Sequence, residues 1–247
     1  MKQFCITTAM GKRLIGKGMA QHPRVQAVLG IGTLVVIAGT TNGYVAEEIL
    51  MALGQAEGFT RVGFRRGFTV APGRKPADAE LAGDVVIVKG QWQRGKAVYD
   101  VVDDLRAGDL VLKGANAFDP FGQAAVQIGH PEGGTIHTIL SAVYGRRVEV
   151  MVPVGVEKRV FEDVIDLAAF VNAPGGTGTR LYPFPGTIFT EMDAIELLTG
   201  AEVHLIAAGG IYGAEGSAWV GISGSDEEMA AAEELIRSVR DEPPCEV

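Results

Sequence analysis

The chain has 247 residues, of which 47% are hydrophobic, and a formal net charge of −8 at pH 7. This length suits one large domain or a main domain with a small lobe, and the apolar content is ample for a buried core. The acidic balance, without a long run of Lys or Arg, argues against nucleic acid as a partner. With no secretory leader and no stretch of roughly 18 apolar residues, we expect a cytoplasmic protein without a membrane partner.

Cysteine and histidine spacing gives no indication of a metal site. Cys5 and Cys245 lie near opposite ends of the chain, without the paired spacing of zinc ligands or redox motifs. The sequence allows a disulfide between these two cysteines but has no feature that supports one. We therefore expect no metal and no cofactor.

The first predicted elements are a helix, a buried strand and a second helix. Residues 7–20 form an amphipathic pattern whose three glycines give low helix propensity, so packing must hold that helix. Residues 33–38 are a short apolar run rich in β-branched side chains, which is typical of a buried strand. Residues 44–53 have apolar side chains at spacing four, which predicts a helix.

The loop between that strand and that helix is small and polar throughout. Strand, small-residue loop and helix form a common anion site, because free amides and the helix dipole favour negative charge there. Glycines let a ligand approach the backbone, and threonine hydroxyls add donors. The loop matches neither the dinucleotide fingerprint nor the nucleotide P-loop, and a tight turn without any ligand is the alternative. The predicted ligand-binding residues here are Gly39, Thr40, Thr41, Asn42 and Gly43.

The next part of the chain is predicted as β structure followed by a second strand-terminal loop. We expect strands at 68–70, 84–90 and 97–102, with a turn at 72–76. A core strand at 110–113 then leads into a second small-residue loop. Arg65 and Arg66 are expected at the surface. The candidate site residues of the second loop are Lys113, Gly114, Asn116 and Asp119, with an ordinary turn as the alternative.

The remaining elements predict a third loop at the same edge and a C-terminal lobe. A strand at 148–154 precedes Glu157 and Lys158, which are candidate site residues or else a solvated helix start. Gly and Pro residues between 172 and 186 mark a boundary, which divides the chain into 1–185 and 186–247. The other predicted elements are an irregular segment at 122–134, helices at 135–144, 190–199 and 225–239, a helix or a strand followed by a helix at 161–170, strands at 203–208 and 218–222, and a Gly-rich loop at 209–216.

Alternating strands and helices predict an α/β fold. We expect a Rossmann-like three-layer sandwich with a largely parallel sheet, plus a small α+β C-terminal lobe. In such sheets ligands bind at the carboxyl ends of the strands. The loops at 39–43, 113–119 and 155–159 are therefore expected to open on one edge.

These loops carry a family resemblance. The Gly-Thr-Thr-Asn-Gly loop at 39–43 resembles the opening phosphate loop of ribose-5-phosphate isomerases, and residues 108–117 resemble their Lys-Gly-Gly-Gly segment. Residues 150–160 resemble their later strand, which ends in a Lys-bearing turn. The wider superfamily includes sugar-phosphate isomerases, glucosamine-6-phosphate deaminases and coenzyme A transferases. The isomerases' Asp-Gly-Ala-Asp-Glu signature is absent from this chain.

The resemblance implies an enzyme of sugar-phosphate isomerase type that acts on a small phosphorylated or carboxylated metabolite. Lys113 would stabilise an enediolate-like oxyanion, and Asp119 or Glu157 would be the general base. A non-catalytic ligand-binding or regulatory protein and a coenzyme A transferase-like enzyme are the alternatives. A homo-oligomer is a further hypothesis, with Tyr212 and Trp219 as anchors for a partner chain.

Overall fold

A computed structural model describes residues 1–67, 73 and 81–244. Three predicted features lie outside these residues: the strand at 68–70, most of the turn at 72–76, and Cys245. The possible disulfide between Cys5 and Cys245 lies outside them as well. The part described is a mixed α/β structure, which confirms the α/β class predicted from the sequence.

Twelve strands and seven α-helices make up the described part of the chain. The strands are β1 (Lys2–Ile6), β2 (Thr33–Val36), β3 (Val85–Val88), β4 (Gln91–Trp92), β5 (Leu110–Leu112), β6 (Ala117–Phe118), β7 (Ala124–Ile128), β8 (Glu149–Pro153), β9 (Arg180–Phe184), β10 (Thr187–Phe189), β11 (Glu202–Ala208) and β12 (Ala218–Ser223). The helices are α1 (Thr8–Gln21), α2 (Pro23–Ile31), α3 (Thr40–Ala52), α4 (Gly134–Arg146), α5 (Val164–Val171), α6 (Glu191–Thr199) and α7 (Asp226–Ser238).

The largest sheet has six strands in the order β10-β8-β5-β2-β3-β4. The first four strands of this order run parallel to one another, whereas β3 and β4 are antiparallel additions at one side. The sheet is therefore mixed. The carboxyl ends of the four parallel strands meet at one edge, where ligands bind in open α/β sheets.

Two smaller antiparallel sheets accompany the six-stranded one, with the orders β1-β12-β11 and β6-β7-β9. Strands β7 and β9 fall in the stretches 122–134 and 172–186, whose glycines and prolines hide the strand pattern. The strand predicted at 97–102 is wrong, because that stretch forms the short 3-10 turns Val98–Asp100 and Val102–Asp104.

The central strands are buried on both faces, which explains their continuous apolar sequence. Leu34 and Val36 of β2 belong to a core that also holds side chains of α1, α2, α3, α6 and α7. Val35, between them, belongs to a second core that includes Ile136 and Ile139 of α4. Helices thus cover β2 from both sides and place their ends beside its carboxyl end.

The C-terminal residues pair with strands from the rest of the chain. β10 pairs with β8, and β12 pairs with β1. These pairings neither establish nor exclude a separate C-terminal lobe, and the domain boundary at 185 stays a prediction. Thr190 and Asp193 exchange hydrogen bonds at the start of α6, which forms a capping box. The loop at 209–216 exposes Tyr212 fully, and oligomer formation also stays a prediction.

No helix in the part of the chain that the structure describes has the length and apolar character that crossing a membrane requires.

Helix α1 packs against α3 so closely that one of its glycines has no room for a side chain. A Cβ built on Gly16 would lie 2.8 Å from the backbone oxygen of Tyr44 in α3. We expect Gly16→Ala to lower the free energy of unfolding by about 2 kcal/mol, because overpacking against backbone outweighs the gain of about 1 kcal/mol in helix propensity. Urea unfolding followed by circular dichroism measures this change.

Gly30 provides the matched control, since a Cβ there would meet no atom within 4 Å. Gly30→Ala is expected to raise the free energy of unfolding by roughly 0.5–1 kcal/mol. Equal effects of the two substitutions would contradict the close packing of α1 on α3.

Candidate functional site

A cavity of about 650 Å³ opens at the carboxyl ends of β2, β5 and β8. This volume lies within the range of roughly 300–1,000 Å³ that is typical of small-molecule sites. Of the site residues predicted from the sequence, those on the cavity wall are Gly39, Thr40, Thr41, Asn42, Lys113, Gly114, Asn116 and Lys158.

The N-terminus of α3 forms one wall of the cavity. Its N-cap is Gly39, and no side chain of the described residues caps the helix, so among these residues the first amides of α3 lack the acceptors that a helix start needs. Gly39 is extended, and a Cβ built on it would meet no atom within 4 Å. Neither conformation nor protein packing therefore requires glycine at this position, whereas close approach of a ligand to the backbone would require it.

Two buried side chains at this helix start have unused polar atoms. Thr41 Oγ1 and Asn42 Oδ1 are buried without a hydrogen-bond partner among the described residues. Asn42 Nδ2 donates to the carbonyl oxygens of Ile37 and Leu112, at 2.8 and 2.9 Å, which fixes α3 to the ends of β2 and β5. A buried hydroxyl without a partner is costly, and a ligand on this wall would remove the cost.

The N-terminus of α4 forms another part of the lining and was not among the predicted site residues. Its N-cap is Gly133 in the left-handed region (φ 80°), again without a side-chain cap. Gly134 and Thr135 follow it on the cavity wall. The sequence signal was present, because Gly-Gly-Thr before an apolar helix has the same small-residue character as the 39–43 loop.

Lys113, at the end of β5, is buried on the cavity wall and is 9% exposed. Its Nζ donates to the carbonyl oxygen of Gly114 at 3.3 Å. Burial lowers the pKa of Lys113 to about 8; Asp84 opposes this shift, while Lys158 and Arg66 add to it. Burial also lowers the pKa of Lys158.

Arg66 supplies a third cation to the cavity wall. Its guanidinium group donates to both carboxylate oxygens of Asp84, at 3.3 and 2.6 Å. The same oxygens accept the amides of Ala38 and Val98. The neighbouring Arg65 is buried, so the surface position predicted for it is wrong.

Three predicted site residues lie off the cavity wall. Gly43 lies in the first turn of α3, where its amide donates to the Gly39 oxygen. Asp119 is 3% exposed, and its oxygens accept the amides of Phe121, Gln123 and Val164 at 2.9–3.0 Å. These bonds give Asp119 a structural role in the loop and at the start of α5.

Glu157, the third of these residues, lies in an acidic cluster beside Lys158. A Glu157 oxygen is 3.9 Å from Lys12 Nζ. Glu191, at the start of α6, is 2% exposed and accepts the Val156 amide at 3.0 Å. Burial, together with the charge of Glu157, raises the pKa of Glu191 to about 7. No local pattern distinguishes Glu191 beyond its place in the first turn of a helix.

Further polar groups of the lining come from the segment before α4, from α4 itself and from Asn116. His130, Glu132 and His137 are exposed there, and Asn116 Oδ1 accepts the Gln127 amide at 3.0 Å. Within the described residues, no three His, Cys, Asp or Glu side chains come together as a metal-ligand group.

Comparison with known proteins gives no assignment for this site: no protein-family model, no curated protein and no solved structure matches the chain.

Proposed function

We propose that the cavity binds a small anionic metabolite, phosphorylated or carboxylated, at the carboxyl edge of the sheet. The observation that carries the proposal is the convergence of two helix N-termini without side-chain caps, those of α3 and α4, on one cavity. Each presents backbone amides and the positive end of a helix dipole. At α3 the unpartnered Thr41 hydroxyl adds a donor.

The charges of the cavity support the same ligand class. Lys113, Lys158 and Arg66 lie on its wall, although the chain as a whole carries a net charge of −8. Asp84 balances Arg66, which leaves the two lysines as the cations that a ligand would neutralise. Positive groups concentrated in a concave site attract anions even when the net charge of the protein is negative.

The proposal includes the fold and the reaction class that the family resemblance implies. The fold would be a Rossmann-like three-layer sandwich of the sugar-phosphate isomerase superfamily. In an isomerase-like reaction, the anion would occupy the α3 N-terminus, and Lys113 in its charged form would stabilise an enediolate-like oxyanion.

A non-catalytic ligand-binding or regulatory role is the second candidate, and one observation favours it. Asp119 and Glu157, the two carboxylates expected as general bases, lie off the cavity wall. Asp119 already accepts three backbone amides. A general base needs to come within hydrogen-bond reach of a substrate proton.

Thr41→Val tests the anion site, because it removes the unpartnered hydroxyl and keeps the side-chain shape. Inorganic phosphate is expected to raise the melting temperature of the native protein, since saturating ligand at about 100 times its Kd adds about 2.7 kcal/mol. In Thr41→Val this phosphate-dependent rise should be lost. The unliganded variant should melt at the native temperature or above it, because a buried unsatisfied hydroxyl is gone.

Thr187→Val is the matched control, since Thr187 is exposed in β10 and lies off the cavity wall. It should keep the full response to phosphate. Gly39→Ala is a second test variant, in which the new methyl group meets no protein atom within 4 Å but would meet a bound anion. Equal phosphate responses in Thr41→Val, Gly39→Ala and the native protein would overturn the proposed site.

A further inference from the structure

We propose that Lys113 acts as a nucleophilic amine, which forms an imine with an anionic ligand that carries an aldehyde or ketone group. The inference rests on the proposed function, because the cavity must first hold the anionic part of such a ligand. It adds a covalent step and narrows the ligand class to carbonyl-bearing anions.

The surroundings of the Lys113 amine give it little stabilisation as an ammonium ion. The side chain is 9% exposed, and Nζ makes one hydrogen bond, of 3.3 Å, to the Gly114 carbonyl oxygen. No carboxylate oxygen of the described residues lies within the 4.0 Å of an ion pair with it. The amine is therefore poorly solvated, and its side chain belongs to the cavity wall where a ligand would bind.

Two of the three nearby charged groups also disfavour the ammonium form of Lys113. Asp84 attracts the ammonium ion, but its oxygens are shared between Arg66 and the amides of Ala38 and Val98. Lys158 and Arg66 repel it. The resulting pKa of about 8 leaves roughly half of the Lys113 side chains neutral at pH 8, against less than about 1% for an ordinary lysine. Lysines desolvated beside other cations are the ones that form imines in enzymes.

The anion has other groups to hold it, which leaves the amine available. The amides of α3 and α4, with Lys158 and Arg66, surround the same cavity. The Nζ lone pair attacks the carbonyl carbon, and the C=O π electrons move to oxygen to give a carbinolamine. The oxygen then leaves as water with the two amine hydrogens, which forms the C=N bond without any oxidant or reductant.

Reductive trapping tests the proposal on the native protein at pH 8. The probe is glycolaldehyde phosphate with sodium cyanoborohydride, and peptide mass mapping locates the reduced adduct. We expect Lys113 to be labelled roughly tenfold or more faster than Lys96, an exposed lysine off the cavity wall, because its neutral fraction is much larger. Unphosphorylated glycolaldehyde should show a much smaller preference, and inorganic phosphate should protect Lys113.

Lys113→Met and Lys96→Met are the matched variants. The first should lose the fast adduct, and the second should retain it. If Lys113→Met does not fold, mapping of the native protein still decides the question. The labelling rate of Lys113 should rise with pH around a midpoint near 8, set by burial, Asp84, Lys158 and Arg66.

The outcomes separate the two proposals. Stabilisation by phosphate with uniform, slow labelling of all lysines would overturn the imine and leave the anion site standing. Fast labelling of Lys113 by both aldehydes, without stabilisation or protection by phosphate, would overturn the anion site and with it the carbonyl-bearing anion as ligand. Fast, phosphate-protected labelling of Lys113 supports both.

Discussion

Replacing Asp119 with alanine is expected to lower the free energy of unfolding by about 3 kcal/mol and to leave phosphate binding intact. The carboxylate is buried and accepts the amides of Phe121, Gln123 and Val164. Each buried donor that is left without an acceptor costs about 1–3 kcal/mol. Water that enters the site and accepts these hydrogen bonds would offset part of this cost. The carboxylate also faces the first amide of α5, where the helix dipole favours a negative charge.

Asp166→Ala is the matched control, because Asp166 lies in the first turn of the same helix but is exposed. Its loss should cost less than about 1 kcal/mol. Urea unfolding gives both values, and thermal shift with inorganic phosphate gives the binding response. An Asp119→Ala variant of native stability that no longer responds to phosphate would instead assign Asp119 to the ligand site, as the sequence suggested.

Replacing Glu191 with glutamine is expected to stabilise the protein by about 3 kcal/mol at pH 8 and to have little effect near pH 4. The pKa of Glu191 rises on folding from 4.5 to about 7, because the carboxyl group is buried beside Glu157. Between these values the folded state holds the proton more tightly than the unfolded state, so stability falls as the pH rises through this window. Above about pH 7 this loss of stability is complete. It amounts to about 1.4 kcal/mol for each unit by which folding raises the pKa of Glu191.

Glutamine keeps an oxygen that can accept the Val156 amide and carries no charge, so the Glu191 contribution to pH dependence should disappear. The measurement is the free energy of unfolding of both proteins from pH 4 to pH 8. Glu162→Gln, at an exposed position, should follow the native curve. Parallel curves for Glu191→Gln and the native protein would show that Glu191 is ionised at an ordinary pKa.

The α3 wall of the cavity could be predicted because its signals are local. A β-branched run, the small residues 39–43 and an apolar helix stand next to each other in the sequence. Lys113 and Lys158 could be placed because parallel strands bring their carboxyl ends to one edge. The burial of these two lysines could not be predicted, because it depends on segments that are far away in the chain.

The rest of the site depends on contacts between distant segments. Arg66 lies on the cavity wall and pairs with Asp84, while Ile136 of α4 packs into the same core as Val35 of β2. Nothing local distinguishes Asp119, whose oxygens are used by the backbone, from a free base. Glycine and proline around β7 and β9 masked these strands, because propensity is overridden by pairing within a sheet.

The two uncapped helix starts belong to parts of the chain that are far apart, around positions 40 and 134. An occupant that bonds to both would act as a clasp between separate pieces of backbone. Molecules with and without a bound ligand would then differ chiefly in how often the starts of α3 and α4 unfold locally, while the strands of the sheet keep their arrangement.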